Sequence, residues 1–282
     1  MVHVALDAGI TLFDTANVYA GGRSEEALGR YLPTDRQGLT IVTKLGHPTS
    51  VPPGVPPCAA PSVIEAVEGS LRRLRCERLD VVLLHFPDPE TPFAETLSTF
   101  EGLMAAGKVA HYGVSNFTAT QVADLVSVAD HIGVPRPVMV QDEYSLIRRG
   151  AASTTMPTAL EADAGFVPFF PLAGGLIGGR YDLDASAQRP IREQAVRRFR
   201  ERFLDQATLG KVRRLRDVCA EAAVPMTRVA LAWLASQPAI SSIIAGASQA
   251  SQVLSNIREL ACPVEACLLD LAERATAEVG AP

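Results

Sequence analysis

Seven short stretches of this chain are apolar almost without a break, and they limit what it can fold into. They are ITLFDT from Ile10, LTIVTKLG from Leu39, LDVVLLHF from Leu79, VAHYGVSN from Val109, PVMVQDEY from Pro137, GFVPFFPLA from Gly165 and AISSIIAGA from Ala239. A strand with one wet face alternates apolar and polar residues. Near-continuous runs of this length belong to strands buried on both faces of a parallel sheet. Helical segments separate them, and successive runs mostly begin about 28 to 40 residues apart, one strand–helix unit each.

The helix signals are local and chemical. SEEALGRYL follows the first run. PSVIEAVEGSLRRLR follows the second, with Pro61 at its start and Ser62 and Glu65 in a capping-box relation. PFAETLSTFEGLMAAG ends on Gly107, and TATQVADLVSVADH starts from a cap at Thr118. Before the last run the spacing widens, with room for a lid and helices. QRPIREQAVRRFRERF (188–203) reads as a solvated helix over a barrel mouth. VRRLRDVCAEAAV, TRVALAWLASQ, SQASQVLSNIREL and a segment near Val264 to Val279 read as further helices. RRLR at 72–75 reads as a solvated helix face and Trp233 as core.

Both an open doubly wound sheet and a closed (β/α)8 barrel fit this alternation. No GxGxxG follows any strand, which weighs against the dinucleotide-binding doubly wound fold. GGLIGGRY from Gly174 has Arg180 and Tyr181 where a P-loop needs Lys and Ser or Thr. No linker divides the chain, so residues 1–282 are expected to form one domain. The proline-rich stretch 48–61 lies between a strand and its helix and reads as a long active-site loop.

Several function classes are disfavoured at once. The net charge is −5 with both signs mixed, and no basic tract marks a nucleic-acid footprint. No apolar run reaches the roughly 18 residues needed to span a bilayer. The first residues, MVHVALDAGI, lack signal-peptide features, so a cytoplasmic protein is expected. Five cysteines, an odd number without a CxxC, read as reduced structural thiols, and no metal-ligand spacing occurs.

The strand ends carry the chemistry. The first run ends at Asp14, the second at Thr43 and Lys44, the third at His85, the fourth at Ser115 and Asn116, the fifth at Gln141. In a parallel barrel these ends converge on the face that holds the active site. Buried polar groups need partners, so five such ends must satisfy one another or a ligand. Asp14, Tyr19, Lys44 and His85 together suit acid–base work on a carbonyl. A free phenol has a pKa near 10. A neighbouring ammonium lowers it, a carboxylate holds that ammonium, and a histidine orients the carbonyl oxygen.

The motifs FDTANVY, TK, LLH, GVSN, VQDEYS, PLAGG and ALAWL, in this order and at these separations, resemble the aldo-keto reductase superfamily from about Val4 to about Glu259. The resemblance implies a TIM-type (β/α)8 barrel that takes a nicotinamide cofactor in extended form. It also implies NAD(P)H-dependent reduction of an aldehyde or ketone by a tetrad of Asp14, Tyr19, Lys44 and His85. Tyr19 would be the proton donor, Lys44 would lower its pKa, Asp14 would hold Lys44, and His85 would orient the carbonyl. Ser115, Asn116 and Gln141 match positions that hold the carboxamide, and Phe169 the ring that stacks on nicotinamide. Pro171, Leu172 and Gly174 match a pyrophosphate-binding turn. Gly246, Ser248, Gln252 and Asn256 match contacts to the adenosine phosphate.

Two departures accompany the resemblance. Where the family commonly places a cation for the 2′-phosphate of NADPH, this chain has Ala247, Ser248 and Gln252, with Arg258 out of register. NADPH is expected from family habit, with NADH as the alternative. The family's first strand is also absent, leaving seven expected strands of eight, either because translation starts upstream or because the barrel closes imperfectly. The expected partner is a small carbonyl compound with a hydrophobic or neutral face, set by Phe86, Pro87, the 48–61 loop and a lid over 177–202. His47 is the other histidine expected to touch substrate. The alternatives are a catalytically impaired barrel or a regulatory nicotinamide-binding subunit. Sequence gives no signal for oligomeric state.

Overall fold

A computed structural model describes residues 1–178 and 204–277. The helix expected at 188–203 and most of the lid lie outside the described residues. Two compact units emerge, residues 1–142 with 151–167, and residues 143–150 with 168–282.

The first unit alternates strand and helix as the apolar runs dictate. After α1 (Val2–Asp7) come β1 (Leu12–Asp14), α2 (Arg23–Tyr31), β2 (Thr40–Leu45), α3 (Ala60–Leu74) and β3 (Leu79–Leu84). Then follow α4 (Phe93–Ala105), β4 (Val109–Ser115), α5 (Ala119–Ile132), β5 (Met139–Glu143), α6 (Thr155–Glu161) and β6 (Gly165–Phe169). The six strands lie side by side in chain order, and β1 to β5 pair in parallel. A doubly wound sheet reverses its strand order part-way, whereas this one never does. The fold is therefore α/β of the (β/α)8-barrel type, with six strands among the described residues. Val42, Val82, Leu83 and Val114 are fully buried, as strands covered on both faces require.

The second unit holds the helices α7 (Gln206–Glu221), α8 (Met226–Ala235), α9 (Ala250–Ala261) and α10 (Ala266–Ala275). Trp233 is buried there, and its indole N–H donates to Glu273 at 2.8 Å. No single helix among the described residues is long and apolar enough to cross a membrane. The consecutive pair α7 and α8 reaches that length only through a bend of 101°.

Three local expectations fail. The run from Ala239 forms no strand: its recorded backbone tie to β6 is Ile244 N–H to the Pro168 carbonyl at 3.4 Å. Ser241 and Ser242 interrupt the apolar pattern, and Ser241, Ala245 and Gly246 are exposed, so the segment lacks two-sided burial. The capping box at Ser62 and Glu65 is also absent. Helix α3 begins earlier, after Ala59, because Pro61 is tolerated in a first turn, and the Ser62 hydroxyl donates to the Pro56 carbonyl at 2.9 Å. Finally, RRLR is not a solvated face throughout. Arg73 turns inward onto a buried carboxylate, Glu25, at 2.6 Å. By contrast, Thr118 and Gln121 form a complete capping box on α5.

Helices α2 and α3 touch at Gly29, where a Cβ would sit 2.2 Å from the Arg73 carbonyl oxygen and 2.8 Å from the Leu74 carbonyl carbon. Backbone cannot yield as a side-chain tip can. Gly29→Ala is therefore expected to destabilise by about 1–3 kcal/mol through overpacking. A urea denaturation midpoint equal to that of the wild type would show that α2 is free to shift.

Candidate active site

Strand register places the polar residues on one face. Asp14 pairs with Val42, so Lys44, two residues on, projects the same way as Asp14. Lys44 pairs with Leu83, Leu83 with Gly113, and Gly113 with Met139. His85, Ser115 and Gln141 each lie two residues beyond that row and share its face, and Ser115 pairs directly with Gln141. A glycine is required in the row, because a Cβ at position 113 would meet the Met139 carbonyl oxygen at 2.3 Å.

The four tetrad candidates of this first unit come together. Lys44, with 1% of its side chain exposed, bonds Asp14 at 2.5 Å and the Thr15 carbonyl at 3.0 Å. Burial lowers the pKa of Lys44, against the opposing pull of Asp14. The Lys44 ammonium lies 5.1 Å from the centre of the Tyr19 ring, and His85 stands edge-on to the same ring at 5.7 Å. Tyr19 begins a tight turn, Tyr19–Gly22, whose next three residues all have positive φ.

The phenol's acidity runs opposite to the expectation. Burial, and then the charge of Asp14, push the Tyr19 hydroxyl up to about 12. Burial of the hydroxyl is the larger cause, and the Lys44–Asp14 ion pair leaves it unopposed. Lys44 is neutralised by a carboxylate in contact with it, so little positive field is left to favour phenolate. His85 goes the other way. Burial, then Lys44, then His47 push it down to about 3, so its imidazole is neutral at ordinary pH.

The other predicted residues of this unit join the same cluster. The Gln141 amide donates to the second Asp14 oxygen at 2.9 Å. The Asn116 amide donates to the His85 carbonyl at 2.9 Å and to Ser115 Oγ at 3.1 Å, with Asn116 held at φ +60°. Two buried atoms in the cluster have no hydrogen-bond partner, Asn17 Oδ1 and His85 Nδ1. Asn17 was legible only as part of FDTANVY, and nothing in its own chemistry singles it out. His47 packs edge-on to His85 at 5.2 Å and to Phe86 at 5.2 Å, where the sequence placed it. The proline-rich loop that follows is anchored by Asp88, which accepts from Cys58 N–H at 3.1 Å and Thr91 Oγ1 at 2.7 Å.

The remaining candidates lie in the second unit. Phe169 ends β6, and its carbonyl accepts from Tyr144 N–H at 3.4 Å. Pro171, Leu172 and Gly174 follow in a turn where Phe170, Ala173, Gly174 and Gly175 all take positive φ. Gly246 and Ser248 precede α9. Gln252 in the first turn of that helix accepts from Ser248 N–H at 2.8 Å, and Asn256 lies one turn on. No basic residue stands in the first turn of α9, and Arg258 is in its last.

The sequence matches the aldo/keto reductase family over residues 1–266. This chain belongs to that family. It is 32% identical over 267 residues to a protein of Oryza sativa subsp. japonica named a probable voltage-gated potassium channel subunit beta, covering 92% of this chain and 80% of the other. A protein of the same name from Arabidopsis thaliana is 31% identical over 259 residues, covering 89% and 78%. Aldo/keto reductase family members bind NADH or NADPH together with small-molecule substrates. The residues here fit such a cofactor. Within the first unit, the cluster holds a buried amide oxygen on Asn17 that has no partner and can accept from a polar group of such a molecule.

His85 gives the site a signature in stability. Its pKa falls from the ordinary 6.5 to about 3 on folding, so the unfolded chain takes up a proton first as pH drops. This contribution is complete above pH 6.5 and is lost progressively towards 3, by up to about 1.4 kcal/mol per pH unit. Denaturant unfolding at pH 7 and pH 5 is expected to show that slope, and His85→Phe to flatten it.

Proposed function

We propose that this protein is a nicotinamide-dependent reductase that converts an aldehyde or ketone to an alcohol. The observation that carries this reading is the convergence of Asp14, Tyr19, Lys44 and His85 on one face of the sheet, with the Lys44 ammonium 5.1 Å from the Tyr19 ring. A reduced nicotinamide, when bound, supplies hydride to the carbonyl carbon. Every other requirement falls to the chain's own residues.

Tyr19 gives its hydroxyl proton to the carbonyl oxygen. With its hydroxyl pushed up to about 12, it is fully protonated at neutral pH, as a proton donor must be. Lys44, charge-balanced by Asp14, stands with its ammonium 5.1 Å from the Tyr19 ring and holds the phenol in place. His85 is neutral, so one ring nitrogen carries the proton that it donates to the carbonyl oxygen, orienting it. Asp14 keeps Lys44 charged and placed. When the cofactor is bound, Ser115, Asn116 and Gln141 would hold its carboxamide end and Phe169 would face its ring. Pro171, Leu172 and Gly174 would hold the pyrophosphate, and Gly246, Ser248, Gln252 and Asn256 the adenosine phosphate. NADPH is the assigned cofactor on family habit. The uncharged start of α9 makes NADH the competitor to compare.

A second reading is favoured by the names of the relatives. A subunit of a potassium channel assembly could keep the same cofactor cluster and turn over slowly. Fluorescence titration with NADPH and NADH, followed by cofactor consumption with an aldehyde panel, separates the two. The reductase reading expects binding with turnover, and Tyr19→Phe is expected to bind equally while losing about 100-fold or more in kcat. Binding without turnover in the wild type supports the subunit reading. Absence of binding by either cofactor overturns both.

A further inference from the structure

Glu25 is a carboxylate with no exposed side-chain surface, and it lies outside the tetrad. It stands in the first turn of α2, where an acidic group helps the helix even when solvated. Burial therefore gains nothing for the helix and adds a desolvation cost that only good partners offset. Those partners are specific. Oε1 accepts from the Thr43 hydroxyl at 2.6 Å, and Oε2 accepts from Arg73 Nε at 2.6 Å. Arg73 is itself boxed in. A Cβ at Gly22 would stand 2.9 Å from its Cδ, and one at Gly69 would stand 2.9 Å from its Nη1.

Glu25's neighbours on α2 make parallel ties. Ser24 accepts from the Thr15 hydroxyl at 2.8 Å, and Arg23 Nε donates to the Ala20 carbonyl at 2.9 Å. Thr15 follows Asp14, Ala20 follows Tyr19, and Thr43 precedes Lys44. Three consecutive residues at one helix start thus hold the chain next to three of the four tetrad members.

We propose that the start of α2, with Glu25 locked between Thr43 and Arg73, is a positioning clamp that fixes Lys44 and Asp14 relative to Tyr19. Glu25 acts through the backbone of β2 and touches no reacting atom. The inference rests on Tyr19 being the proton donor, and on the general sensitivity of proton transfer to small displacements.

The test is Thr43→Val, which keeps the shape of the side chain and removes the hydroxyl that Glu25 accepts from. Thr43→Ser serves as the restoring variant and Ser24→Ala as a milder one. Phe100→Leu on α4 controls for lost core stability. In protein carrying 13C-labelled tyrosine, Tyr19→Phe identifies the Tyr19 ring signal among the five tyrosines. Thr43→Val is expected to move that signal and leave the other four in place. It is also expected to lower kcat about 10-fold or more, with KM nearly unchanged and a larger solvent isotope effect. Thr43→Ser should restore both readouts, and Phe100→Leu should lower the melting temperature without moving either. An unmoved Tyr19 signal in Thr43→Val, with only melting affected, overturns the clamp. Wild-type turnover by Tyr19→Phe would instead overturn the proton-donor reading, and the ring signal still judges the clamp.

Discussion

An ammonium group enclosed by a parallel sheet is the condition to which the rest of this fold answers. Lys44 sits at the end of β2 with Asp14 across from it, and neither charge has much water. A buried cation without a partner costs several kcal/mol, so wherever Lys44 goes Asp14 must follow. That requirement fixes the β1–β2 register, which puts Asp14 and Lys44 on one face. It also recruits the Thr15 carbonyl to Lys44 and the Gln141 amide to the free oxygen of Asp14. The pair is thus tied to β5 as well as to its own two strands.

The same pair governs the groups around it. Because Asp14 neutralises Lys44 at contact distance, Tyr19 feels burial and a carboxylate more than it feels an ammonium, and it stays protonated. His85 feels burial first and the Lys44 charge second, and it stays neutral. Burial, with this ion pair beside it, thereby leaves two neutral hydrogen-bond donors, a phenol and an imidazole, on a face that also carries charged residues. Neutral donors are what a carbonyl oxygen needs before it acquires charge.

Much of this was legible in the chain. Strands buried on both faces announce themselves as unbroken apolar runs, and six of the seven runs became strands. Their polar last residues marked the cluster of Asp14, Lys44, His85, Ser115 and Gln141 on one face of the sheet. What sequence missed was long-range. Arg73 looks like one more charge in RRLR, because the residue that buries it, Glu25, lies 48 positions away. The sign of the Tyr19 shift was missed because residue types place an ammonium and its carboxylate beside a phenol but do not show how far the hydroxyl is buried, which is the larger cause of the shift. The seventh run failed because β-branched residues favour a strand only where a partner and two-sided burial are at hand. The cap of α3 was displaced because Pro61 fits a first turn as readily as it precedes one.

The chain-order sheet has a consequence for how the molecule is made. Among the described residues, each strand from β2 to β6 pairs with the one synthesised just before it, so these ladders do not wait for a distant partner. Growth from the ribosome can add one strand–helix unit at a time to an edge that already exists. Asp14 leaves the ribosome 30 residues ahead of Lys44. The lysine therefore enters the sheet where its counter-ion is already waiting, and the nascent chain has no need to bury a lone charge.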